Sequence, residues 1–111
     1  MAYAPDRLTL VKNVGGLTGM KVWLLDTLDA TAAVDSAGYI SDAKARGMEK
    51  GDLVIVRIWP SAFPTNAEKI TPDGTAIDMT SLGFHWVIGI SATTGAADLT
   101  DTLAVTATNT D

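Results

Sequence analysis

The run Leu53-Val54-Ile55-Val56-Arg57-Ile58-Trp59 constrains this chain more than any other segment. It is rich in β-branched residues and too short for a buried helix, so it reads as a strand. A strand alternates its side chains between two faces, and here both faces are apolar except at Arg57. Such a strand belongs in the middle of a sheet, with cover on both sides. Pro60 ends it, because proline cannot donate to a β-ladder. The rest of the chain must supply the neighbours and the cover.

The neighbours can be read off on either side. Lys21-Val22-Trp23-Leu24-Leu25-Asp26 is a strand. The period then changes: Asp26 or Thr27 can cap a short helix over 28–35, which Gly38 stops. Ser41 as N-cap and Gly47 just past the end predict one or two further helical turns. Met48-Glu49-Lys50-Gly51-Asp52 is a turn into the central strand. Residues 60–71 form a surface loop, and Thr71-Pro72-Asp73-Gly74-Thr75 is a turn signal between hairpin strands near 68–70 and 76–79. Phe84–Ile90 and Thr102–Thr108 are strands, with a turn at Thr93-Thr94-Gly95 between them. The expected fold is mostly β: a small antiparallel β-sandwich or barrel of about six strands with one or two short helical insertions. A chain of 111 residues fits one domain. The division is an N-terminal arm at 1–20 and a single β-rich domain at 21–111.

The arm carries the first candidate contacts. Leu8, Leu10 and Val11 suit an added strand, while Pro5 and Gly15-Gly16 flank it as breakers. Residues 1–18 are expected to be mobile alone and to order against a neighbour by strand addition. The alternative is that this strand completes the chain's own sheet.

Chemistry-bearing residues are sparse. The chain has no cysteine and one histidine, His85, which excludes disulfides, thiolate catalysis and paired-histidine schemes. His85 stands between Phe84 and Trp86 and points away from both, towards the more polar sheet face, with Asp78 the nearest acid in sequence. Asp98 and Asp101 read as a solvated acidic turn. No nucleophile elbow, zinc-binding helix, EF-hand loop or phosphate loop is present. No enzyme activity, metal or cofactor is expected. Trp23 and Trp86 read as core or interface residues. Trp59, beside Pro60 and near Phe63, is the candidate for a contact at the domain edge.

All eight basic residues lie in the first 69 positions, balanced by eight acids, while residues 70–111 hold five acids and no base, giving the net charge of −5. Without a Lys/Arg cluster the chain is not expected to bind nucleic acid. No apolar run approaches the roughly 20 residues of a membrane span, and the opening residues lack a secretory pattern. The expected start is at or near Met1, with synthesis in a cytoplasm.

At Ala32-Ala33-Val34-Asp35-Ser36-Ala37-Gly38-Tyr39-Ile40 and again at Met48-Glu49-Lys50-Gly51-Asp52-Leu53-Val54-Ile55-Val56, the chain resembles small proteins from the structural modules of tailed bacteriophages. Those chains run from a Trp-bearing strand through an Ala-rich helix, an Ala-Gly-Tyr-aromatic step and a Gly-Asp turn to a Val/Ile strand. Like this one, they close with an Asp-Thr-Leu stretch (here Asp101-Thr102-Leu103) and a Thr/Val-rich strand. The resemblance covers residues 20–58 and, more loosely, 84–108. It departs at Ile40, where an aromatic is usual, and in the 60–75 loop. It implies a capsid decoration (cement) protein on the outer surface of a phage head. The implied partners are the major capsid protein and further copies of the chain as a homotrimer, and the place is the virion. The competing reading is a carbohydrate-binding module of a phage tail or head fibre, using Trp59 and Phe63. A small hydrolase is the remote third.

Overall fold

The computed structural model describes residues 3–13, 19–65 and 79–105. Its strands are β1 (Leu8–Asn13), β2 (Lys21–Thr27), β3 (Leu53–Ile58), β4 (Ser81–Ile90), β5 (Ala97–Leu99) and β6 (Leu103–Val105). Two single-turn helices, α1 (Thr31–Val34) and α2 (Ala43–Arg46), lie between β2 and β3. The strands make one six-stranded sheet in the order β1-β2-β3-β4-β5, with β6 also paired to β4, and it does not close into a barrel. The chain is mostly β, as its sequence predicts, and β3 is central. The hairpin turn at 71–75, the strand near 68–70, residues 76–78 of the other and Gly15-Gly16 lie outside the described residues. Among the described residues no helix is long and apolar enough to cross a membrane.

One pair departs from the antiparallel expectation: β2 and β3 run parallel, with Trp23 opposite Val54 and Leu25 opposite Val56. Parallel neighbours need a crossover, and residues 28–52 provide it. That crossover covers one face of the sheet. Val34, Ile40, Ala43 and Met48 pack from it onto Trp23, Leu25, Val54, Val56, Val87 and Leu99. Gly47 closes α2 in the left-handed conformation, at φ 88°. This is the C-cap role that favours glycine.

Buried polar groups hold the crossover in register. The Asp52 carboxylate accepts hydrogen bonds from the Lys21 amide at 3.1 Å, the Trp23 indole at 3.1 Å and the Glu49 amide at 2.9 Å. It thereby ties the start of β2 to the turn that feeds β3. Tyr39 donates to Asp29 at 2.6 Å and also meets the Thr27 hydroxyl at 2.8 Å. Tyr3 donates to Asp42 at 2.6 Å and packs edge-on against Tyr39.

The N-terminal segment takes the second of the two forms open to it. Leu8–Asn13 is an edge strand of the chain's own sheet, pairing Leu8 with Leu25 and Leu10 with Trp23. Leu8 is 4% exposed and belongs to the core. The Arg46 guanidinium donates to the carbonyls of Leu8, at 3.0 Å, and Pro5, and its Nε pairs with Asp42 at 3.0 Å. The physical reason is local. β2 presents an unpaired edge, the core has a site for one more leucine, and α2 supplies a cation for the segment's carbonyls.

Both tyrosines of the chain sit in this region, and both phenols resist ionisation. Burial is the larger cause, followed by the hydrogen bond to Asp42 for Tyr3 and to Asp29 for Tyr39, and each pKa is raised above 10.0. The folded chain therefore keeps its phenolic protons above pH 10, where the unfolded chain loses them. Stability is unaffected below that pH and falls as pH rises beyond it. Phenolate absorbance is expected to rise together with loss of the circular-dichroism signal. A reversible titration near pH 10 with the fold intact contradicts it.

Gly83 on β4 is a close-approach position: a Cβ there would stand 2.4 Å from Cγ2 of Thr102. Gly83→Ala is expected to cost about 1–3 kcal/mol by overpacking. Thr102→Ser removes that methyl and keeps the hydroxyl that bonds Asp35 at 3.2 Å. The double variant should recover most of the loss in a thermal melt, and failure to recover would place the strain elsewhere.

Candidate functional site

Strand alternation sends every second residue away from the crossover, and the register aligns those residues into rows across the sheet. One row is Val22–Leu53–Trp86, the next is Leu24–Ile55–Phe84–Leu103, and the third is Asp26–Arg57–Leu82–Val105. On β2, β3, β4 and β6 this face is apolar in all but the Asp26–Arg57 corner, while β1 continues two of the rows with Thr9 beside Leu24 and Lys12 beside Val22. Its β2 and β3 members are half-buried. Towards the β4–β6 side it is open: Trp86 is 55% exposed and Leu103 70%, with Ile88 and Val105 also exposed. Soluble domains rarely leave large apolar residues contiguous and uncovered, and where they do the patch is usually a binding surface.

The charged corner is neutral and well made. Arg57 donates to both carboxylate oxygens of Asp26, at 2.7 and 2.8 Å. The Trp59 indole donates to the same carboxylate at 3.1 Å, and the guanidinium carbon lies 5.5 Å from the Trp59 ring centre. One arginine is thus held between a carboxylate and an indole.

On the open side a groove of about 340 Å³ is lined by Leu53, Phe84, His85, Trp86, Thr100, Asp101 and Leu103. It lies where residues 100–102 bulge between β5 and β6 beside β4, which has its own register shift between Val87 and Gly89. The bulge is fixed: the Trp86 amide donates to Thr100 Oγ1 at 3.1 Å, and the Thr100 amide donates to the Trp86 carbonyl at 3.0 Å. Its other end is held where the Thr102 amide donates to Asp35 at 3.3 Å.

The residues singled out from the sequence separate. Leu8 is inside the core, while Leu10 and Val11 are exposed on the edge strand β1. Trp59 is 7% exposed and its indole is bonded to Asp26. Phe63 is half-buried, with the Arg7 guanidinium 4.1 Å from its ring centre. His85 lies on the covered face, buried, its Nδ1 2.9 Å from the Thr100 carbonyl, and Asp78 lies outside the described residues. Trp86, read as a core or interface residue, is exposed, whereas His85, expected on the more polar face, is buried. The crossover decides which face is covered, and it lies on the histidine side. Asp98 and Asp101 are both exposed, with Asp98 accepting from the Gly38 amide at 2.7 Å and Asp101 on the groove rim. The open face itself is the feature that sequence reasoning missed. Its only signal was that β3 is apolar on both sides.

Among the described residues no group of three or more His, Asp and Glu side chains is placed to hold a metal ion. Compared with known protein families, with characterised proteins and with solved structures, the chain matches none.

Proposed function

We propose that this chain is a structural binding module, a decoration protein of a tailed-bacteriophage head that docks on the outer surface of the shell. The observation that carries the reading is the open apolar sheet face bearing Trp86, Ile88, Leu103 and Val105. A chain with a complete core on one side of its sheet has no folding need for such residues on the other. Covering them is worth about 25 cal/mol per Å² of apolar surface, enough to make a partner's contact favourable. The resemblance to phage structural proteins names that partner as the major capsid protein, with further copies of the chain beside it as a trimer.

The carbohydrate-module alternative loses its platform, because Trp59 is buried and Phe63 lies against Arg7.

The test is sedimentation of purified chain with heads stripped of it, alongside light scattering for the trimer. Saturable binding at a fixed copy number is expected. Trp86→Asp with Leu103→Asp should abolish it and leave the melting temperature within a few degrees, since both residues are exposed. Wild-type chain that stays in the supernatant overturns the reading.

A further inference from the structure

On the same sheet face the chain holds one arginine clasp and, in the Trp86 groove, a second place where an indole and an aspartate line one site. At the first, Asp26 and Trp59 hold Arg57. At the other, Trp86 and Asp101 line the groove together with Leu53, Phe84 and Leu103, and no Lys or Arg lines it. Asp101 is exposed and makes no hydrogen bond or ion pair among the described residues. We propose that the Trp86 groove is a socket for an arginine side chain supplied by an extended segment of the partner protein.

The groove's chemistry selects that occupant. An arginine has an apolar stem for Leu53, Phe84 and Leu103, and a planar cation that stacks on an indole and forks onto a carboxylate. A purely apolar partner would cover Trp86 but desolvate the Asp101 carboxylate without a counter-charge, which is costly. A sugar needs several polar groups, and apart from Asp101 the groove offers chiefly Thr100, whose amide, hydroxyl oxygen and carbonyl already meet Trp86 and His85. Lysine would pair with Asp101 but brings no plane to stack on the ring.

The arginine comes from a different protein. The chain has only Arg7, Arg46 and Arg57. Arg7 lies over Phe63, Arg46 is bound to Asp42 and the N-terminal carbonyls, and Arg57 is bound to Asp26. A second copy could fill the socket only by dismantling one of these contacts. The net charge of −5 favours a basic segment of a foreign chain over a like-charged copy.

The socket rests on the docking reading only for the partner's identity, and its test uses no capsid. The full chain is titrated with acetyl-Ser-Val-Arg-Val-Ser-amide and with the same peptide carrying citrulline, an uncharged isostere. Binding is followed by tryptophan fluorescence, in which Trp86 is the exposed indole of the three, and by amide chemical shifts. The arginine peptide is expected to bind at least about ten-fold more tightly than the citrulline peptide, a difference of about 1.4 kcal/mol. Asp101→Asn should reduce it to the citrulline level, Trp86→Ala should remove binding, and shifts should cluster at 84–86 and 100–103. Equal affinity for the two peptides, indifference to Asp101→Asn, or no saturable change at millimolar peptide overturns the socket. Those results leave the sedimentation test standing, and a failed sedimentation leaves the peptide result standing.

Discussion

Deleting residues 1–13 is expected to lower the melting temperature by roughly 10 °C or more, at about 4 °C per kcal/mol for a domain of this size. The truncation removes Leu8 from the core and strips β2 of its antiparallel neighbour. It also leaves the Arg46 guanidinium without the Leu8 and Pro5 carbonyls, and Asp42 without the Tyr3 hydroxyl. Burying a leucine contributes about 2 kcal/mol, and each ladder hydrogen bond about 1 kcal/mol net. The entropy of ordering the segment offsets only part of that sum. Leu8→Ala alone should cost about 2–4 kcal/mol, which separates loss of the core leucine from loss of the strand. A docking arm independent of the fold predicts the opposite, an unchanged melt. An unchanged melt for both variants would return β1 to that role.

The second large effect is expected at Asp52. Its carboxylate is buried and accepts the Lys21 amide, the Trp23 indole and the Glu49 amide. Asp52→Ala leaves those donors unpaired, two of them on the strand that carries the core tryptophan. Hydrogen bonds to a charged acceptor are each worth about 1.5–3 kcal/mol, so the loss should reach at least 3 kcal/mol and threaten folding outright. Asp52→Asn keeps the shape but exchanges one accepting oxygen for an NH₂ group, so it should fall between wild type and alanine. Urea denaturation ranks the three. An Asp52→Ala midpoint equal to wild type would mean that water or another group takes over the donors.

How far the sequence could be read depended on whether a feature is local. β2 and β3 follow from short apolar runs, and α2 from Ser41 and Gly47 on either side of it, although the N-cap position is Asp42. α1 is shorter than the period suggests. Thr27, taken as a helix cap, instead accepts from the Asp29 amide in a turn at 3.0 Å, and the helix begins only at Thr31. β5 was invisible because Ala97-Asp98-Leu99 is too short to show alternation, and only its pairing with β4 defines it. The face assignment at Phe84-His85-Trp86 was not legible at all. Alternation says that His85 opposes its neighbours, but which side is covered depends on the path of residues 28–52. Trp59 was not legible either, because its partner Asp26 lies 33 residues away on β2. The groove at Trp86 depends on a bulge that no motif announces.

The parallel pairing of β2 with β3 has a consequence for how the chain reaches this state. Antiparallel partners such as β4 and β5 are joined by a short turn and can close early. β2 and β3 cannot meet until the whole crossover is in place, as in the Asp26–Arg57 pair, whose members are 31 residues apart. Closing that loop has an entropic cost before its contacts reward it, so non-local pairing sets the folding rate. During synthesis β1 and β2 leave the ribosome first, while the core they need is still unmade. Until β3 arrives, the Trp23 and Leu25 side of that pair stays open to solvent. Slow translation through residues 28–52 would therefore prolong an aggregation-prone stage without changing the stability of the finished fold.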